Sequence, residues 1–155
     1  MNRLALIIAT WFGSGLLRPM PGTWGTAAAL PFAWAIASFS APVWLFAAAA
    51  ILFPIGIWAA NRYDAMKQAH DSSEIVVDEV VGVWLVLALV PPDWLHYLTG
   101  FLLFRVFDIA KPWPVGWVDR RLAGGLGVMA DDVLAALYAM AGIYGIGWLI
   151  AWSTA

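Results

Sequence analysis

Apolar positions run almost unbroken through residues 24–39, 43–60, 75–90, 94–107 and 133–152, and polar residues collect in the gaps between them. Only Ser40, Ala41 and Pro42 separate the first two runs, so the pattern predicts a tight helical hairpin. Each of those runs is close to the lower limit of about 17 residues for crossing a hydrocarbon core. Pro31 and Pro54 interrupt them, which membrane helices tolerate with a kink. Residues 75–90 and 94–107 flank Pro91-Pro92-Asp93, and the second of these falls short of a full span unless the bilayer thins or protein surrounds it. The run at 133–152 is the clearest span, and its glycines and alanines suit close helix packing. The pattern predicts an all-α membrane bundle of four to five apolar helices, built as one domain over residues 1–155.

Composition supports that class. The chain is 63% hydrophobic and 12% charged, with eleven Trp, and its mean hydropathy is +0.82. Soluble domains carry about 25% charged residues. A net charge of -2 leaves no basic footprint and argues against a nucleic-acid partner. The absence of Cys excludes disulfides, a thiolate nucleophile, Fe–S clusters and thiolate zinc sites. The opening "MNRLALIIATWFGSG" looks like a signal peptide, but later segments already supply membrane targeting, so a short buried or interfacial helix is expected there.

The charges fall on one side. If the N-terminus starts in the cytoplasm and each hairpin crosses and returns, all eight cations, Arg3, Arg18, Arg62, Lys67, Arg105, Lys111, Arg120 and Arg121, are cytoplasmic, as the positive-inside tendency requires. Asp64, Asp71, Glu74, Asp78, Glu79, Asp108, Asp119, Asp131 and Asp132 accompany them, and only Asp93 and His96 stand at the opposite surface.

Within this polarised chain, "VVDEVVG" raises the sharpest question. A carboxylate at the centre of a membrane helix costs roughly 2.5–3.5 kcal/mol, against about 0.3–0.6 kcal/mol returned by each Leu, Ile or Val. Asp78, Glu79, Asp108 and the Asp131-Asp132 pair all adjoin apolar segments at their cytoplasmic ends, so three helix ends can bring them together. Such a cluster is self-repelling without a cation, and carboxylate oxygens without Cys favour Mg²⁺ or Mn²⁺. The competing reading is a set of separate acids stabilising helix N-termini.

Other segments offer phosphate contacts. Asp108 and Lys111 share a helix face, Lys111 is a point charge for a phosphate, and Arg105 reaches the same region from one turn earlier. The alternative is an i,i+3 ion pair beside an interfacial belt of Trp113 and Trp117, with Arg120 and Arg121 on anionic headgroups. Asp119 fits either a ligand or a surface role. The backbone N–H groups of Gly22, Thr23 and Gly25 form a candidate anion concavity at a helix start, with Thr23 or Thr26 as a plain N-cap the rival reading. Asp71-Ser72-Ser73-Glu74 resembles a capping box, which makes Glu74 structural, and His70 is expected to be solvated. Gly124, Gly125 and Gly127 read as a Gly-rich entry before Asp131.

Three functions compete: a Mg²⁺-dependent enzyme acting on a phosphate-bearing lipid, an ion or proton transporter using the intramembrane carboxylates, and a structural subunit. Transport calls for repeats with broken helices at matching positions, which do not occur here, and a structural subunit leaves the acids unexplained. The stretches "FGSGLLRPMPGTWGT" (12–26), "IVVDEVVGVW" (75–84), "FRVFDIAKPWPVGWVDR" (104–120) and "GGLGVMADDVLA" (124–135) closely resemble the phosphatidylglycerophosphatase A family in order and spacing over nearly the whole chain. A histidine-pair lipid phosphatase, a D-x-D-x-T/V phosphatase and a CDP-alcohol phosphotransferase fit poorly, because their motifs are missing.

The resemblance implies a multi-pass protein of the bacterial inner membrane that hydrolyses the phospholipid phosphatidylglycerophosphate to phosphatidylglycerol and inorganic phosphate with Mg²⁺, its active site facing the cytoplasm. Carried over by motif position, Asp78, Glu79, Asp108, Asp131 and Asp132 are the expected metal ligands, with Glu79, Asp108 and Lys111 catalytic. Gly22, Thr23, Gly25, Arg105 and Lys111 are then expected near the phosphate. No role carries over to Glu74 or His70, and the oligomeric state stays open.

Overall fold

The computed structural model describes residues 2–153, and all regular elements among them are helical. In chain order they are α1 (Arg3–Ala9), a single 3-10 turn (Ser14–Leu16), α2 (Pro21–Phe39), α3 (Val43–Lys67), α4 (Val77–Leu87), α5 (Trp94–Ala110), α6 (Val115–Arg121) and α7 (Gly124–Ser153). Each of the five apolar runs becomes a helix. α1 is the short, partly buried helix expected at the N-terminus, with Ala5 and Ala9 inside. It stops where Thr10 turns its hydroxyl back onto the Leu6 carbonyl, at 2.8 Å, and accepts from the Gly13 N–H at 3.1 Å.

α4 organises the bundle. It packs against α2, α3, α5 and α7, and Val77, Val80, Val81, Val83, Val86 and Leu87 are all fully buried. A helix buried on every side needs no polar stripe, which is why its sequence is apolar all round. With 11 residues it rises about 16 Å, roughly half of a hydrocarbon core. The run at 75–90 is therefore an interior helix that covers only part of the apolar stretch.

Length and composition also narrow the span count. Among the described residues, α3 (25 residues) and α7 (30 residues) are long and apolar enough to cross a membrane. α2 and α5 have 19 and 17 residues. Pro31 and Pro54 lie inside α2 and α3, and both helices continue through them.

α7 starts nine residues earlier than its apolar run, because "GGLGV" is helix and not an entry loop. Gly124, at φ +69°, turns the chain into the helix, and the Gly125 N–H donates to Asn61 Oδ1 of α3 at 2.7 Å. A Cβ on Gly125 would collide with the Ile57 carbonyl, so this glycine lets α7 lie directly against α3. At the other end of the bundle, the Asp93 carboxylate caps α5 by accepting from the N–H groups of Leu95 and His96 at 3.1 and 3.0 Å. Its other oxygen meets His96 Nδ1 at 2.6 Å, so the two polar groups there satisfy each other.

Candidate active site

The first turn of α4, the last turn of α5 and the N-terminal half of α7 converge at one end of the bundle. Their acids line a single cavity of about 480 Å³ that contains Asp78, Glu79, Arg105, Asp108, Lys111, Asp131 and Asp132. The expected clustering of these residues is what the fold produces. Carboxylate oxygens of Asp78, Glu79 and Asp132 lie within 4.8 Å of one another. Asp78 Oδ1, Glu79 Oε2 and Asp132 Oδ2 are also buried without a hydrogen-bond partner. Buried oxygens without a donor cost of order 1–3 kcal/mol each, more when charged. Three carboxylates so close together, each with an unpartnered buried oxygen and in a set without sulfur and without His, suit a hard divalent cation.

Asp108 and Asp131 are placed differently. Arg105, 13% exposed, donates through Nη1 to Asp108 Oδ2 at 2.5 Å and to Glu79 Oε1 at 3.3 Å. Lys111 Nζ donates to Asp119 at 2.5 Å and to Asp131 at 2.6 Å. The i,i+3 pair of the sequence reading is thus Arg105–Asp108, and Lys111 does not pair with Asp108. The reason is local: α5 ends at Ala110, and Lys111 sits at φ 42° in the left-handed region. That turn carries its side chain off the α5 face toward α6 and α7. Burial works against its charge, but the hydrogen bonds it donates to Asp119 and Asp131 hold the ammonium above the usual lysine range. Asp119 is a partner of Lys111 rather than a free surface acid.

The glycine turn contributes one residue instead of three. α2 begins at Pro21, with Met20 preceding it at φ 63°, so neither Thr23 nor Thr26 is its N-cap. Gly22 lines the cavity. A Cβ there would overlap Glu79 Oε1 and sit 3.0 and 3.1 Å from the Arg105 guanidinium nitrogens. The Thr23 N–H already donates to the Met20 carbonyl at 3.0 Å. Gly25 has Val76 in the place of a side chain, making it a packing glycine. The expected concavity of Gly22, Thr23 and Gly25 is therefore reduced to Gly22.

The 71–74 stretch departs most from expectation. It is not a capping box, because α4 begins at Val77 with no side-chain cap. Instead the buried carboxylate of Asp64, 7% exposed, accepts from the Asp71 N–H at 2.8 Å, the Ser72 N–H at 3.1 Å and the Ser72 hydroxyl at 2.6 Å. Asp71, Ser72 and Ser73 thereby form a wall of the cavity. Glu74 is structural, paired with Arg18 at 3.1 Å and Lys67 at 3.3 Å. His70 is exposed, in a neighbouring recess with Asp119 and Arg120. The sequence carried little signal for Asp64, whose partners lie across a turn of irregular backbone.

Comparison with known proteins finds relatives along nearly the whole chain. A family model described as phosphatidylglycerophosphatase A matches residues 7–147. A phosphatidylglycerophosphatase A of Haemophilus influenzae is 40% identical over 146 residues, 93% of this chain and 90% of that protein. One from Escherichia coli is 38% identical over 143 residues, 91% and 82% of the two chains. A Bacteroides thetaiotaomicron protein, provisionally named a phosphatidylinositol-3-phosphatase, is 42% identical over 155 residues, 95% and 96% of the two chains. No solved structure gives a significant match.

Proposed function

This chain belongs to the phosphatidylglycerophosphatase A family, and from that premise we propose that it hydrolyses phosphatidylglycerophosphate to phosphatidylglycerol and inorganic phosphate. The reading includes Mg²⁺ dependence, a single multi-pass domain in the bacterial inner membrane, and a site at the cytoplasmic face. The observation that carries it is the trio of unpartnered carboxylate oxygens on Asp78, Glu79 and Asp132, set in a cavity that also holds Arg105 and Lys111.

Asp78, Glu79 and Asp132 would hold the cation, which supplies charge neutralisation and Lewis acidity toward the phosphoryl group. Arg105 and Lys111 offer N–H donors to the phosphoryl oxygens, and both are held in place by carboxylates before substrate arrives. The Gly22 backbone permits close approach between α2 and the Glu79–Arg105 pair. Hydrolysis joins a water oxygen to phosphorus and breaks the bond from phosphorus to the glycerol oxygen. Asp108 lies outside the three-oxygen group and receives the water proton. The departing glycerol oxygen takes up a proton from solvent and leaves as a hydroxyl, and Asp108 returns its proton to solvent. Asp131 acts through Lys111, whose ammonium it shares with Asp119.

The test is phosphate release by the purified full chain in detergent, with phosphatidylglycerophosphate, phosphatidate, lysophosphatidate and phosphatidylinositol 3-phosphate, each with Mg²⁺ and with chelator. Release from phosphatidylglycerophosphate that chelator abolishes is the expected result. The Bacteroides relative favours a second reading, a phosphoinositide substrate, and preference for the inositol lipid would select it. Release from no monoester would overturn both readings and restore the transporter.

A further inference from the structure

We propose that one acyl chain of the substrate lies in the groove between α2 and α5, a subsite that rests on the lipid-phosphatase reading above. Gly22 at the start of α2 adjoins Arg105 late in α5, and Trp34 meets Tyr97 early in α5, so these helices run antiparallel, and they touch only sparingly. Between them is an open apolar groove of about 540 Å³, walled by Ala27, Leu30 and Trp34 of α2 and by Tyr97, Leu98 and Phe101 of α5.

The register ties this groove to the active site. Residues three and four apart share a helix face, so positions 94, 97, 98, 101, 105 and 108 make one stripe along α5. The wall of the groove thus continues directly into Arg105 and Asp108. On α2 the stripe through 34, 30 and 27 continues to Thr23 in the first turn, next to Gly22, which lines the acidic cavity. Along that seam the surface changes from ionic at Arg105 to apolar at Phe101 within one helical turn. A phosphate ester joined through glycerol to a hydrocarbon chain has the same change of polarity over the same kind of distance.

Eleven residues separate Arg105 from Trp94, about 16 Å of helix along which an acyl chain can lie. The Trp34 and Tyr97 rings meet edge-to-face at 5.2 Å and lie toward the distal end of the groove. A second apolar groove, between Leu89, Leu95, Thr99, Ile143 and Tyr144, begins beside His96 at the opposite end of the bundle, and its α5 wall at Leu95 and Thr99 lies off the stripe that leads to Arg105. It does not serve a lipid whose phosphate sits at Asp78.

Two measurements on the full chain in detergent test this. In the first, Ala27→Phe and Leu98→Trp fill the groove, and kcat/KM is compared for dioleoyl and dihexanoyl phosphatidylglycerophosphate. The long-to-short ratio is expected to fall about tenfold in each variant. An unchanged ratio in variants that still turn over the short lipid overturns the subsite and leaves the phosphatase reading intact. No release from either lipid by the unsubstituted chain overturns both.

The second measurement does not depend on turnover. The chain has no cysteine, so Leu98→Cys supplies a single thiol, exposed at a position where leucine is 46% exposed. A long-chain phosphonate analogue of the substrate should slow its alkylation at least fivefold, and the short-chain analogue should not. Equal rates with both analogues, as bulk detergent or lipid filling the groove would give, contradict the proposal.

Discussion

Gly22 separates the demands of chemistry from those of folding. Near a helix start, Gly→Ala ordinarily gains up to about 1 kcal/mol of helix propensity, yet here the new methyl would displace the Glu79 carboxylate from Arg105. Gly22→Ala is therefore expected to leave the helices formed while lowering kcat at least tenfold, read by circular dichroism and phosphate release on the same preparation. Lys111 behaves in the opposite way. Lys111→Met leaves Asp119 and Asp131 facing each other without a counter-charge, and should cost about 1–3 kcal/mol, less than a fully buried pair because Lys111 is 33% exposed. Its folded-state pKa is raised, so its contribution is complete below the ordinary lysine value and is lost only as pH climbs through the raised one. Denaturation of wild type and Lys111→Met between about pH 6 and 9 should show a difference that holds or widens with pH, as the two facing carboxylates of the variant lose their protons. A difference that shrinks over that window would contradict the pairing.

At the scale of elements, the apolar runs were readable because a bundle buried in itself or in lipid writes its helices as long hydrophobic segments. Their ends were less so. The chain ahead of α4 is held at Asp71 and Ser72 by Asp64 across the turn, and α7 starts at Gly124, where Gly124 and Gly125 face Asn61 and Ile57 of α3. Both effects come from partners distant in the fold, which no local pattern encodes. The same holds within the site. Asp78, Glu79 and Asp132 were legible as charges in apolar surroundings. Gly25 was misread, because packing against Val76 and binding an anion call for the same residue. Asp64→Ala should release the wall formed by Asp71, Ser72 and Ser73. Amide exchange at Asp71 and Ser72 should accelerate at least tenfold while the α7 amides keep their protection. Uniform acceleration through the chain would mean that Asp64 supports the fold as a whole and not this wall.

For the whole molecule, the acids and cations of the cavity gather at one end, while Asp93 and His96 occupy the other and satisfy each other. That polarity was legible from charge alone, and it makes orientation measurable in a chain free of cysteine. A membrane-impermeant maleimide applied to spheroplasts should label Ser40→Cys, in the α2–α3 turn, and spare Ser73→Cys, at the rim of the cavity. Inverted vesicles should give the reverse, and labelling of Ser73→Cys in spheroplasts would place the cavity on the outer side. The central claim is that the unpartnered carboxylates of α4 and α7 form a cation-dependent phosphatase centre. It is tested most directly by phosphate release from phosphatidylglycerophosphate by wild type and Asp78→Asn, purified side by side in detergent with Mg²⁺. The account predicts release by wild type, at least a hundredfold less by Asp78→Asn, and equal helicity by circular dichroism. Full activity in a folded Asp78→Asn would contradict it.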